Sequence, residues 1–311
     1  MKKIYLTGLL LTLLSAANYA YADFWTDLER MSYQHDMAQY HGRYIHQIQK
    51  GDNSLFSIYR LWHDNNINER RIAITGQKRE LIRVGDNMKY YSNNSDGIIK
   101  SGLEMLFFFP TMPFVDINLI KTNYDYILKN KSIIAGESCT WFWLVPKNSA
   151  LYTQAFCFND KASIFLSHAY LKTNIAVERS EFTIIHTEAP DISNISTPSD
   201  LNIYEISQND KIKKININQD NLVKKLPANF RLIGINKRNK DIAHYITTDG
   251  LLRVSLFIEP VSGKKVSLTS KNIHGALSIV SITKRGYKLT AVGKMPQAAL
   301  KQYLTQVVLA Q

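Results

Sequence analysis

Residues 138–173 read SCTWFWLVPKNSALYTQAFCFNDKASIFLSHAYLKT, and this stretch decides the fold. Ser138 to Val145, Leu151 to Phe158 and Ser163 to Thr173 are apolar, aromatic-rich runs separated by short polar breaks. Runs of that kind bounded by turn formers predict successive antiparallel strands. Lys147-Asn148-Ser149 forms the first turn, and pairing around it sets Cys139 directly opposite Cys157. A close antiparallel pair can carry a disulfide. The alternative is two separately buried thiols, because a slip of one residue sends them to opposite faces of the sheet.

The same pattern continues outward. Upstream, Tyr44 to Ile48, Leu55 to Trp62, Ile67 to Thr75, Leu81 to Val84 and Met88 to Tyr91 are strand-like. Gly51-Asp52-Asn53 and Gly85-Asp86-Asn87 serve as hairpin turns. Tyr124 to Lys129 precedes the central stretch and Val177 to His186 follows it. From Asp23, Phe24, Leu28, Met31 and Ala38 recur at helical spacing until Gly42 ends the pattern. So many sequential strands predict an unclosed antiparallel barrel or curved sheet, with helices over its open side. One segment interrupts the meander: Leu103 to Pro110 and Met112 to Val115 are almost wholly apolar, and two prolines keep them out of a long strand or helix. They either plug the core or line an apolar groove for acyl chains or a hydrophobic peptide. In the second case Leu106, Phe107, Phe108, Phe109, Met112 and Phe114 are the lining.

Residues 189–222 are rich in Asn, Ser, Asp and Pro and read as a linker, with one short strand expected at Leu201–Ile206. Beyond it Leu226 to Lys237, His244 to Thr248, Leu251 to Ile258, Ile273 to Thr283 and Tyr287 to Val292 are expected strands. Asp249-Gly250 is a strong hairpin signal between the second and third of these. Pro296 opens a final helix whose stripe is Ala299, Leu300, Tyr303, Leu304, Val307 and Val308. The fold class is therefore α+β: a larger first domain at 23–188 and a smaller C-terminal α+β domain at 223–311.

The first 22 residues have the marks of an export signal. Lys2 and Lys3 precede an apolar run from Ile4 to Ala17, and Ala20-Tyr21-Ala22 is a small-x-small cleavage site. The chain is expected to be exported and soluble, with cleavage behind Ala22. Export to an oxidising compartment favours the bridge between the two cysteines. Of the formal net charge of +12 from 38 Lys+Arg and 26 Asp+Glu, +2 sits in this signal. Residues 23–220 hold 21 basic and 23 acidic side chains, whereas 221–311 hold 15 and 3. The basic excess is thus confined to the C-terminal domain of an exported protein, so genomic nucleic acid is not expected as a partner. A basic partner surface is expected from Lys237, Arg238, Arg253, Lys264, Lys265, Lys284 and Arg285, several of them at strand ends or turns.

Catalytic patterns are missing from the sequence. His35, His41 and His46 have neither HExxH spacing nor a neighbouring cysteine, which argues for structural histidines rather than a metal site. There is no GxSxG, Walker loop or GxGxxG entering a helix, and no cofactor is expected. Asp23 with Asp27, and Glu178 with Glu181, read as solvated faces. An envelope hydrolase stays open only as a class for which no residue set can be named.

Five stretches carry a resemblance: GQKRELIRVGDNMKYYS at 76–92, YDYILKNKSIIAGESC at 124–139, LPANFRLIGINKR at 226–238, TTDGLLRVSLFIEP at 247–260 and LTAVGKMPQAALKQYL at 289–304. In this order, over nearly the whole mature chain, the sequence resembles the periplasmic sigma-E regulatory protein family, RseB or MucB. Departures are the Asn- and Lys-rich linker and the aromatic strand at Trp141-Phe142-Trp143. The resemblance implies a first domain similar to the lipoprotein carriers LolA and LolB. It implies binding to the periplasmic domain of an RseA-like anti-sigma factor, which is thereby shielded from a DegS-type protease. Mislocalised lipoprotein or lipopolysaccharide would release that complex, and a homo-oligomer is compatible with it. A lipid or lipoprotein carrier of the LolA type is the alternative.

Overall fold

Alternation of apolar and polar residues along the first domain yields ten antiparallel strands among the described residues. A computed structural model describes residues 23–65, 68–76, 79–85, 87–92, 109–110, 114, 116–161, 164–191, 193–196, 222–239, 242–261 and 269–310. The export signal, the strand expected at 201–206, and Leu106, Phe107, Phe108, Met112, Lys264 and Lys265 lie outside the described residues.

Helix α1 (Phe24–Met37) is followed by β1 (Gln39–Lys50), β2 (Asn53–Asp64), β3 (Asn68–Ala73), β4 (Arg79–Val84) and β5 (Asn87–Ser92). After a short helix α2 (Ile117–Asn123) come β6 (Tyr124–Ile134), β7 (Glu137–Pro146), β8 (Thr153–Asn159), β9 (Phe165–Lys172) and β10 (Ile175–His186). These strands form one sheet in the order β5-β4-β3-β2-β1-β10-β9-β8-β7-β6. Among the described residues the two ends of that order do not pair with each other, so the barrel they form is unclosed. Its core is aromatic: Phe142, Phe156, Phe158, Phe165 and Phe182 pack with Trp25 and Leu28 of α1, which covers the open side.

The central strands pair as expected, with a changed register. Cys139 stands opposite Asn159 and Trp141 opposite Cys157, two residues from the alignment built on the Lys147 turn. The shift is even, so both cysteines keep the same face, and the disulfide runs diagonally over a Cα–Cα distance of 5.6 Å. The connection from Pro146 to Thr153 is wider than a three-residue turn, which moves the pairing.

A one-turn helix α3 (Ser193–Ser196) begins the stretch read as linker. Ile195 is fully buried and the Asn194 carbonyl accepts a hydrogen bond from Arg70 at 2.7 Å, so this part of the chain is docked onto the sheet. The second domain comprises β11 (Val223–Lys225), β12 (Arg231–Asn239), β13 (Ile242–Thr248), β14 (Arg253–Pro260), β15 (Thr269–His274), β16 (Leu277–Lys284), β17 (Tyr287–Gly293), helix α4 (Gln297–Gln306) and β18 (Val308–Leu309). Six strands form a sheet in the order β12-β13-β14-β17-β16-β15, with α4 burying Ala299, Leu300, Tyr303 and Leu304 against it. Two expectations are corrected here. The strand read from Ile273 to Thr283 is two strands, broken at Gly275 with φ +52. The stripe through Val308 overruns the helix, because Val308 and Leu309 leave it to pair with β11 and so join both ends of the domain.

Candidate functional site

The seam between the two domains concentrates the buried charge that the sequence reading missed. Tyr152, Tyr170 and Val177, at one end of the first sheet, pack in the same cluster as Phe230, Leu252, Met295 and Tyr303 of the second domain. The second domain thus seals one end of the unclosed barrel. Burying polar groups at such a seam requires partners for them, and two sets supply these.

The first set centres on Glu178 of β10. Its carboxylate accepts Lys294 Nζ at 2.5 Å and the Ala276 amide at 3.0 Å, both from the second domain. The Lys294 ammonium also lies over the Tyr170 ring, 5.0 Å from its centroid. Gly275 lets the β15–β16 turn reach the carboxylate: a Cβ there would sit 2.7 Å from Glu178 Oε2. Burial raises the Glu178 pKa, but Lys294, His46 and the Ala276 amide together hold it below the ordinary carboxylate value. The expectation that Glu178 lies on a solvated face is therefore corrected. Period-two alternation faces it into the barrel beside Ser180 and Tyr170, and its partner is 116 residues away in the chain. No local sequence signal could have joined them.

The second set centres on Asp249, which the sequence shows only as half of a hairpin turn. Its carboxylate accepts the Leu251 and Leu252 amides at 3.0 and 2.7 Å and the Tyr124 hydroxyl at 2.7 Å. Asn123 donates to the Asp249 and Asn229 carbonyls at 2.8 and 3.1 Å. Arg231 meets Asp116, the residue that caps α2, at 2.7 Å. The Asp249-Gly250 turn is thus both a hairpin tip and a plug seated on α2.

Burial pushes the Asp249 carboxyl up to about 6, although Tyr124 and the Leu252 and Leu251 amides donate to it. A carboxyl raised in the folded state favours folding below its unfolded value near 4, and that contribution is lost as pH rises through about 6. His35 and His168, lowered by burial to about 3, act in the opposite sense as pH falls below about 6.5. The Asp249 contribution is isolated by difference: Asp249→Asn should gain on the parent chain by on the order of 2–3 kcal/mol between pH 4 and pH 7. Urea unfolding across that range checks this, and parallel stability curves would contradict it.

The remaining expected residues fall into separate places. Phe109 is buried among Tyr44, Phe165 and Phe182, and Phe114 packs on Phe156, so these two contribute to the aromatic core. Lys284 Nζ donates to the Thr305 and Val307 carbonyls at 2.8 and 2.6 Å, and Arg285 to that of Leu309 at 3.1 Å. Cations at the end of a helix satisfy its last carbonyls and oppose its dipole. Arg253 is exposed at the start of β14, while Lys237 and Arg238 lie in β12.

The three histidines do not converge. His35 accepts the Phe165 amide on Nδ1 and contacts the Pro110 carbonyl through Nε2 at 2.7 Å, which requires a neutral ring. His41 stacks on His186 and His46 bonds Ser180 Oγ at 2.8 Å. Among the described residues no three metal-ligating side chains come together. Ser180, His46 and Glu178 superficially suggest a nucleophile, base and acid. However, Glu178 lies 3.8 Å from the imidazole and is taken by Lys294 and the Ala276 amide, which is the geometry of a domain lock.

A second buried charge cluster lies inside the first domain. Glu69 pairs with Arg71 at 2.5 Å, with His63 at 3.4 Å and with Arg83 at 3.6 Å. Arg71, His63 and Arg83 hold the Glu69 carboxyl well below the carboxylate range against the cost of burial. The run Glu69-Arg70-Arg71 in a strand was the available signal, since successive charges in a strand face both sides of the sheet.

An unclosed antiparallel barrel sealed at one end by a basic α+β domain, with buried charge pairs at the seal and in the core of the barrel, is a two-domain α+β protein. The chain belongs to the MucB/RseB family: the family's N-terminal domain matches residues 25–211 and its C-terminal domain residues 217–308. It is 22% identical over 322 residues to the Sigma-E factor regulatory protein RseB of Haemophilus influenzae, covering 99% of both chains. It is 24% identical over 297 residues to the Sigma factor AlgU regulatory protein MucB of Pseudomonas aeruginosa, covering 90% of this chain and 89% of that one. The crystal structure of MucB in complex with MucA(peri) superposes with a TM-score of 0.69 at 18% identity, over 93% of this chain and 98% of the other.

Proposed function

We propose that this chain is a periplasmic negative regulator of an envelope stress response. It is exported, binds the periplasmic segment of a membrane-anchored anti-sigma factor and protects it from a DegS-type protease. A lipid signal, lipopolysaccharide or mislocalised lipoprotein, releases the complex. The observation that carries this reading is the match of both domains, end to end, to a family whose members are named as sigma-factor regulators and include a MucB crystallised with MucA(peri). The role is one of binding rather than catalysis. A ligand that prefers the free protein shifts the population away from the complex by its difference in affinity for the two states.

The test uses the whole mature chain, because removing the second domain would expose Tyr152, Tyr170 and Glu178. Immobilised chain is incubated with envelope extract, with and without lipopolysaccharide, and the captured proteins are identified. The expected capture is a single-span anti-sigma factor that the lipid releases. Recovery of lipoproteins alone would overturn the proposal in favour of a carrier.

A further inference from the structure

Strands β1 and β2 run past the strands that flank them. Pairing of β10 with β1 reaches Ile48 and pairing of β3 with β2 reaches Tyr59, so among the described residues 49–57 project from the sheet as a two-stranded ribbon. Successive side chains of a strand point to opposite faces. On this ribbon two successive apolar ones are open to solvent, Leu55 at 49% and Phe56 at 56%. Ile74, exposed at 47%, is tied to the base of the ribbon, its amide donating to the Ile58 carbonyl at 2.7 Å. A protein partner docks on one face of a sheet, whereas a lipid interface surrounds a projecting ribbon on both. We infer that the β1–β2 hairpin is a membrane-docking element that seats on an anionic phospholipid surface.

Charge selects the kind of lipid. Over 43–60 the hairpin carries Arg43, Lys50 and Arg60 against Asp52 alone, although residues 23–220 as a whole hold slightly more acidic than basic side chains. Arg43 and Arg60 are exposed and stand directly opposite each other in the β1–β2 register. Like charges facing across an antiparallel pair oppose it, and among the described residues no ion pair offsets either of these two. A phosphate between the guanidiniums relieves that repulsion, and the planar fork of arginine suits phosphate as a bidentate donor. Alternation along β2 sets Phe56 and Arg60 on the same face, about 13 Å apart at roughly 3.3 Å per residue. The apolar end can therefore reach the acyl boundary while the arginines stay at the phosphates. The turn Gly51-Asp52-Asn53 is polar, so the ribbon enters obliquely with its turn among the headgroups. The ribbon is also held in shape before it docks. Gln47 Nε2 donates to Ser54 Oγ at 3.2 Å, Ser54 Oγ to Gln49 Oε1 at 2.7 Å, and Gln49 Nε2 to the Gly51 carbonyl at 2.7 Å. Pre-formed elements lose less freedom on binding. A few apolar side chains and cations give weak, reversible attachment. The inference concerns the bilayer surface and is independent of anti-sigma-factor binding.

Co-sedimentation of the mature chain with vesicles tests this, with circular dichroism to verify folding. The parent chain should pellet with vesicles of phosphatidylethanolamine and phosphatidylglycerol, less so as salt is added, and stay in the supernatant with phosphatidylcholine alone. Changing Leu55→Ser and Phe56→Ser together should lower the partition coefficient by roughly tenfold or more. Changing Arg43→Glu and Arg60→Glu together should lower it by a similar factor and flatten its salt dependence. Arg253→Glu, at an exposed position of the second domain, should leave it unchanged. A parent chain that ignores the phosphatidylglycerol vesicles, hairpin variants that pellet as the parent does, or an Arg253 variant as impaired as the arginine pair would each overturn the inference. Retention on immobilised polyglutamate without pelleting would overturn it in favour of an acidic protein partner. Pelleting only with vesicles that contain lipopolysaccharide would overturn it in favour of a site for that one lipid.

Discussion

Replacing Lys294 by Met is expected to destabilise the chain by about 3–5 kcal/mol, the cost of leaving a buried charge without its partner. Lys294 and Glu178 are 10% and 6% exposed at the side chain, so neither carboxylate nor ammonium can turn to water for compensation. The Ala276 amide and His46 would remain near the carboxylate, but a neutral donor replaces only part of an ammonium. Glu178→Met should cost a similar amount by stranding Lys294 beside Tyr170. The double change to Met at both positions removes both charges and should recover most of the loss, because a buried ion pair gains little over well-packed apolar groups. Urea unfolding followed by tryptophan fluorescence checks this series. All four tryptophans, Trp25, Trp62, Trp141 and Trp143, belong to the first domain, so a loss caused by Lys294 would be read across the seam. A single-variant loss below about 1 kcal/mol would mean that the pair is solvated and does not lock the domains.

Gly250→Ala is expected to cost about 2–5 kcal/mol, from left-handed backbone strain together with steric overlap. Gly250 adopts φ +103, where an L side chain is disfavoured. A Cβ added there would lie 2.7 Å from the Ile120 amide nitrogen and 2.8 Å from the Asp116 carbonyl oxygen. Those contacts are to the backbone of α2 and its cap, so no rotamer change relieves them. The Gly250 carbonyl also accepts the Asp116 amide at 3.3 Å, and the turn would have to give up that bond to make room. Because the overlap is with the first domain, the loss should appear as partial separation of the domains, read as faster limited proteolysis of the folded chain. Equal parent and variant cleavage with equal stability would show that the turn is not seated on α2.

Strands were legible in the sequence because their physics is local. Aromatic runs bounded by polar breaks located β7, β8 and β9, and the period of two kept Cys139 and Cys157 on one face even though the register moved. Contacts that join distant residues left no local trace. Asp249-Gly250 has the chemistry of a hairpin, and it is one. Nothing in the dipeptide announces that its carboxylate and its missing Cβ fit Tyr124 and α2. Glu178 next to Glu181 has the composition of a solvated face, yet strand alternation turns Glu178 inward to Lys294. Gly275 sits inside an apolar run that continues a strand pattern, and the chain turns there at φ +52, close against Glu178. Val307 and Val308 extend a helical stripe past Gln306, and pairing with β11 ends the helix first. Lys284 and Arg285 contribute to the basic count of the second domain, but Lys284 serves the end of α4 and Arg285 the carbonyl of Leu309 in β18. Net charge locates a basic domain; it does not tell a docking surface from a helix cap.

The most direct measurement of the central claim is a calorimetric titration of the purified mature chain with the periplasmic segment of the anti-sigma factor from the same cell, repeated with lipopolysaccharide present. Saturable binding that the lipid weakens is the expected result. No binding heat without lipid, or an affinity that the lipid leaves unchanged, would contradict it.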